Sequence, residues 1–179
     1  MFWEGFVYKF EESLIANQMS LLIEYAQSYA FFKVVSEHLK GNKEDLEFWV
    51  HLNNVTLNDL IIKWCKLFGT DDNELHWKKA SKSDGFIGRV RSLITSVFNG
   101  NFESWKNYRE EMCNFRNTYS AHRNVGAYKP VPLLDEGFDV AASYFDFLVE
   151  EFGPWSGHQP FLSEYVESHR KITLSKLKT

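Results

Sequence analysis

Proline is nearly missing from this chain: there are four in 179 residues, all at or beyond position 130. The residue that removes a backbone donor and clashes with the preceding helical turn is thus absent from the first 129 positions, so long helices are permitted there. Cysteine is scarce as well. Cys65 and Cys113 form no C-x-x-C, no metal-ligand spacing and no disulfide framework. That excludes a disulfide scaffold or a structural zinc as the expected source of stability, and both thiols read as buried small hydrophobes. No stretch approaches the roughly 20 apolar residues that span a bilayer. The start, Met1 to Phe6, lacks a basic region, and Lys9, Glu11 and Glu12 interrupt the apolar residues that follow. No signal peptide is read, and a reducing cytoplasm is the expected compartment. Positive charge is not in excess either: 20 Lys and Arg against 24 Asp and Glu give a net charge of −4. A uniformly basic nucleic-acid binder or membrane-surface protein is excluded on bulk electrostatics, so any phosphate binding must come from a local cluster.

Aromatic residues are what the chain has in abundance, at 17% of positions, about twice the usual share. With 44% hydrophobic and 25% charged residues, the composition is that of one globular domain with a ring-rich core. The expected domain is 1–179, with about 1–12 and 155–179 as candidates for its periphery.

Apolar residues recur at three- and four-residue steps from Leu14 to Leu39 before Gly41, and again from Leu46 to Phe68 before Gly69. Two long helices are predicted, each with a glycine stop. Asp71 and Glu74 resemble a capping box that opens a short piece with Leu75 and Trp77. A third core helix fits Phe86 to Phe98, closed by Asn99-Gly100. Asn101 is placed to cap the next helix, whose row Trp105, Tyr108, Met112, Phe115 and Tyr119 is one face and which is expected to run to about Gly126. Asp135 is read as the cap of a further helix that Gly153-Pro154 should stop. Nothing alternates like a strand. The expected fold is an all-α antiparallel helical bundle with additional short helices.

No phosphate-cradling glycine loop, nucleophile elbow or zinc-protease helix motif occurs. Asp71, Asp72 and His76 are the nearest approach to a metal cluster, but capping and the helix dipole explain acidic residues there, so no metal or cofactor is expected. The informative stretch is Asn114 to Asn124. On a continuous α-helix, Arg109, Arg116 and Arg123 are seven apart and form one basic row. On the same geometry Arg116 and His122 border the buried face from opposite sides, about 120° apart. Joint action on one phosphate then needs a local break in the helix or a second copy of the chain.

Arginine is suited to clamp phosphate because its fork reaches two oxygens and keeps its charge. Histidine is suited to move a proton from a ribose 2′-hydroxyl or to a leaving 5′-oxygen, without a metal. An Arg and a His four to six apart arise by chance roughly 0.6 times in such a chain; requiring Asn after the Arg lowers that to roughly 0.04. The blander reading makes Arg116 a surface charge and His122 a boundary histidine.

The run Arg116-Asn117-Thr118-Tyr119-Ser120-Ala121-His122, with Trp64-Cys65-Lys66-Leu67-Phe68-Gly69 and His76-Trp77-Lys78-Lys79 upstream, resembles the HEPN superfamily, and within it the abortive-infection (Abi) type of bacteria. The resemblance covers the chain from about the second helix to His122. It implies a metal-independent endoribonuclease that leaves 2′,3′-cyclic phosphate and dimerises through its motif helices. Arg116, His122 and Asn117 would be catalytic, and Arg123, Arg109 and Tyr119 would bind substrate. RNA would be the partner of a homodimer acting as a toxin, a phage-defence effector or an RNA processor, sometimes restrained by an antitoxin. Tyr119 also lies on the apolar stripe, where core packing competes with base stacking. Two other readings stay open. One is a catalytically silent HEPN-like module binding a nucleotide or protein; the other is an enzyme subunit whose aromatic ends, Trp3 and Phe6 or Trp155 and Phe161, cover a partner.

Overall fold

The structure is a computed structural model that describes residues 10–41, 44–121, 130–156 and 160–177; the side chains of 120, 121 and 153–156 are outside the description. The elements are α1 (Glu12–Gly41), α2 (Leu46–Phe68), a 3-10 turn (Trp77–Lys79), α3 (Asp84–Ser96), α4 (Phe102–Phe115) running into a π-helical turn (Arg116–Ala121), α5 (Leu134–Ser156) and α6 (Leu162–Leu177). Among the described residues there is no strand, only one isolated bridge between Phe10 and Ser81. The chain is an all-α helical bundle.

Helix α1 buries Ile15, Gln18, Leu22, Tyr25, Ala26 and Tyr29, the three- and four-residue recurrence of one face. Its polar partners fix the direction of its neighbours. Ser28 donates to Asp59 at 2.6 Å and Ser36 to Asn53 at 2.7 Å, so α2 runs antiparallel to α1. Tyr29 donates to Asp135 at 2.6 Å, and Gln18 accepts from the Tyr144 hydroxyl at 2.7 Å, so α5 is antiparallel to α1 too. Helix α6 packs on α1, where Arg170 pairs with Glu37 at 3.2 Å.

The core is built from rings, as the composition requires. Trp64 is fully buried, with Phe68, Trp105 and Tyr108 at centroid distances of 5.3, 5.8 and 5.6 Å. Its indole Nε1 donates to the Gly137 carbonyl at 3.0 Å, which satisfies the one polar atom it buries. Removing about 200 Å² of such a side chain from water contributes on the order of 5 kcal/mol before the entropy of ordering it.

Several expected boundaries hold, and others move for identifiable reasons. Helix α3 closes as expected, with Asn99 and Gly100 at φ 53° and 74°, the left-handed region, and the Gly100 N–H bonded to the Thr95 carbonyl. Asn101 caps α4 by accepting from the Glu103 and Ser104 N–H groups at 3.0 and 3.1 Å. Helix α2 stops at Gly69, but at φ −74°. A Cβ there would lie 2.4 Å from the Cys65 carbonyl oxygen and 3.3 Å from Cys113 Sγ, so close approach is what excludes a side chain. Asp71 is not a cap: the 3-10 turn is capped by His76, whose side chain accepts from the Lys78 N–H. Asp135 sits inside the first turn of α5 and binds Tyr29 and Lys33 of α1. Helix α5 also runs past Gly153-Pro154 to Ser156. A proline in the last turn removes one donor and leaves the earlier turns intact.

Candidate functional site

The motif begins where α4 changes its hydrogen bonding. The α-helix ends at Phe115, and Arg116 to Ala121 form a π-helical turn that packs against α2. An i→i+5 turn holds more residues than an α turn, so the phase of about 100° per residue is lost between Arg116 and Ala121. Arg109 and Arg116 keep their seven-residue spacing along α4, while the α-helical phase that would carry the row on to Arg123 and set His122 about 120° from Arg116 does not run through residues 116–121. A local change of helix type lies within the motif instead. His122 and Arg123 lie outside the described residues.

Arg116 is half-buried, and its guanidinium is held from the next residue. Nε and Nη2 donate to Asn117 Oδ1 at 3.1 and 2.9 Å. Asn117 thereby fixes one edge of the fork, and the remaining N–H groups stay available for an anion. Tyr119 stacks on Phe115, with ring centroids 4.7 Å apart, and packs against the core. One face of its ring is thus taken by protein.

Beside Arg116 the fold joins the two cysteines. Cys65 of α2 is buried, and its thiol hydrogen-bonds Cys113 of α4, which is half-buried. That hydrogen bond, helped by the charges of Arg116 and Arg109 and opposed by burial, pulls Cys113 down to about 7. The bond to Cys113 and burial push Cys65 up. The expected pair of inert core thiols is one inert thiol and one with thiolate character near neutral pH.

Arg109 faces a different cluster, two turns of α4 before Arg116. It lines a small pocket with Asp71, His76, Lys78, Arg91 and Trp105. His76 is 1% exposed. Burial pushes its imidazole down to about 4, against the pull of Asp71 and with the help of Lys78, Arg109 and Lys79. His76 Nδ1 accepts from the Lys78 backbone N–H at 3.3 Å, so Nε2 carries the proton and faces Asp71 Oδ1 at 3.4 Å. Lys78 Nζ donates to the other Asp71 oxygen at 2.6 Å. Burial raises the Asp71 pKa most strongly, yet the Lys78 hydrogen bond and the surrounding positive charge outweigh it and hold the carboxyl below its ordinary value. Gln18, fully buried, secures this loop by donating to the Leu75 and His76 carbonyls at 3.2 and 3.1 Å.

The sequence marks Arg109, the Asp71–His76 cluster and the run His76-Trp77-Lys78-Lys79 separately, and the fold brings them together with Arg91 in one pocket. Among the described residues no group of three His, Cys, Asp or Glu is placed to hold a metal ion, and no helix is long and apolar enough to cross a membrane. No protein-family model, curated protein or solved structure matches this chain.

Proposed function

We propose that this chain is a metal-independent endoribonuclease of HEPN type, working in the cytoplasm as a homodimer in a toxin, phage-defence or RNA-processing role. The observation that carries this reading is the Arg116 guanidinium braced by Asn117 on a π-helical turn, a feature frequent at functional sites. Arg116 holds the scissile phosphate and stabilises the charge that develops on it. His122 takes the proton of the ribose 2′-hydroxyl, and the 2′-oxygen attacks phosphorus. The bond to the 5′-oxygen breaks and that oxygen leaves with a proton, yielding 2′,3′-cyclic phosphate and a 5′-hydroxyl. Arg109 and Arg123 extend the contact to neighbouring phosphates. An antitoxin is a fitting partner for such an activity.

The test is incubation of wild type, His122→Ala and Arg116→Lys with structured and unstructured RNA in excess EDTA, followed by analysis of product ends. Wild type should leave cyclic-phosphate ends. Loss of the proton carrier should cost about 10²–10⁴-fold in rate, and Arg116→Lys should also fail because an ammonium cannot reproduce the fork. Wild-type rates in either variant would remove that residue from catalysis.

A second reading, a catalytically silent module of the same kind that binds a nucleotide or protein, is favoured by one observation. The groove along α4 next to Phe115 is lined by Glu110 and Glu111, which repel a polyanion. Absence of cleavage by any variant, with dimerisation intact, would select it.

A further inference from the structure

The pocket at Arg109 is a built cavity of about 60 Å³. At 10–15 Å³ for each water it holds about four to six, room on the scale of one phosphoryl group. Its floor is buried: Phe68, Ile94, Trp77 and Trp105 are all nearly inaccessible. Its charge is unbalanced. The one carboxylate, Asp71, has one oxygen on Lys78 and the other facing the His76 N–H, so Lys78 and Asp71 offset each other and His76 stays neutral. Arg91 and Arg109 remain, and neither is in ion-pair contact with a carboxylate among the described residues. The lining thus carries three cations, Lys78, Arg91 and Arg109, against one carboxylate, and two of them are guanidinium groups of adjacent helices, α3 and α4, converging on one small cavity in a chain whose net charge is −4.

We propose that this pocket binds a phosphate monoester, with Arg91 and Arg109 as the paired donors and the exposed Phe102 at its rim as a contact for whatever group the phosphate carries. A monoester dianion matches a lining with two positive charges in excess. A cavity with room for one phosphoryl group also suits a terminal phosphate better than a diester, whose chain must leave in two directions. The phosphate could belong to a free nucleotide or to the 5′ end of an RNA, which share this chemistry. The pocket shares Arg109 with the RNA contact proposed above, and neither Arg116 nor His122 is needed for its binding.

The full-length chain is titrated calorimetrically with inorganic phosphate, with adenosine 5′-monophosphate, and with a short oligoribonucleotide bearing either a 5′-phosphate or a 5′-hydroxyl. To keep RNA intact, the oligonucleotide arm is run on His122→Ala, and all proteins are checked for helical content. Saturable binding of phosphate or the monophosphate is expected, weakened at least tenfold in Arg91→Gln/Arg109→Gln and in the milder single variant Arg91→Gln at an exposed position, and unchanged in Lys171→Gln, the same loss of charge at an exposed residue of α6. Tighter binding of the monophosphate than of phosphate, lost in Phe102→Ala, identifies a free nucleotide as the ligand. A preference confined to the 5′-phosphorylated RNA identifies an RNA end. No saturable binding of any probe up to about 10 mM, equal binding by the arginine variants, or equal binding of 5′-hydroxyl and 5′-phosphate RNA with no binding of the small probes would overturn the assignment. Phosphate binding without RNA cleavage would leave this pocket standing and remove the ribonuclease reading alone.

Discussion

Asn117 Oδ1 accepts two hydrogen bonds from the Arg116 guanidinium, at 3.1 Å from Nε and 2.9 Å from Nη2. Consecutive side chains on an α-helix point about 100° apart, so this adjacent-residue contact is made by the long, flexible stem of the arginine folding back along the helix. Its consequence is orientation: a side chain carrying about 2 kcal/mol of rotamer entropy is held with one edge of its fork occupied.

Under the proposed ribonuclease function, Asn117→Ala should lower RNA cleavage on the order of tenfold by releasing Arg116 from one orientation, while the thermal midpoint stays unchanged because Asn117 is exposed. Asn117→Asp should do something different. It places a carboxylate on the guanidinium, neutralises the clamp, and should reduce the salt dependence of RNA binding by about one phosphate contact. Salt titrations of both variants separate orientation from charge; identical behaviour of wild type and Asn117→Asp would reduce the contact to a surface hydrogen bond.

Cys113 should be the reactive thiol of the pair. Its pKa near 7, set by the bond from Cys65 and the charges of Arg116 and Arg109 against burial, predicts alkylation by iodoacetamide that rises through neutral pH and levels off above it. Cys65 should resist labelling in the folded chain. In Arg116→Gln the labelling curve should move to higher pH, since one of the charges favouring thiolate is gone. Peptide mapping after short exposure reads both sites at once, and equal labelling of Cys65 and Cys113 would contradict the assignment.

How much of this was legible in the sequence depended on whether the cause was local. Asn101 as a cap and Asn99-Gly100 as a stop are local chemistry, and the structure has both. The π turn was not legible, because Met112, Phe115 and Tyr119 keep α-helical spacing and the apolar pattern carries no mark of the extra residue. Asp71 satisfied the grammar of a capping box, yet Lys78 and His76 offered it an ion pair and a buried donor, and tertiary contact won. The Cys65–Cys113 bond joins two helices 48 positions apart, where no spacing rule reaches. Arg109 was visible as a charge, but its pocket is assembled from α3, α4 and the loop after α2, so only the fold could supply it.

Stability should fall on mild acidification because of His76. Its pKa drops from 6.5 when unfolded to about 4 in the fold, so between those values the unfolded chain binds a proton that the folded chain refuses. Stability from this group is complete above about pH 6.5 and is lost as pH falls toward 4. At 1.36 kcal/mol per unit, discounted for relaxation around a charged imidazole, the loss is on the order of 2 kcal/mol. Urea midpoints at pH 7.5 and 5 should differ in wild type, and the difference should shrink in His76→Gln. An unchanged difference would place the acid sensitivity elsewhere.

Gly137 offers the sharpest test of the core. A Cβ at this position in α5 would lie 2.6 Å from the Tyr108 hydroxyl and 3.4 Å from Trp64 Nε1. Alanine improves helix propensity by about 1 kcal/mol, so local preference alone predicts a stabilised variant. Packing predicts the opposite. Tyr108 is buried and its hydroxyl donates to the Leu133 carbonyl at 2.8 Å. It cannot retreat without losing that bond, and Gly137 cannot retreat without stretching the bond its carbonyl accepts from Trp64 at 3.0 Å. Overpacking of this kind costs about 1–3 kcal/mol, so Gly137→Ala should be destabilising. Removing the clashing oxygen should change the sign: in a Tyr108→Phe background the same substitution should be neutral or stabilising, a coupling of about 1–2 kcal/mol in a double-mutant cycle. Additive effects in denaturant titrations would show that α5 does not approach α2 and α4 this closely at Gly137.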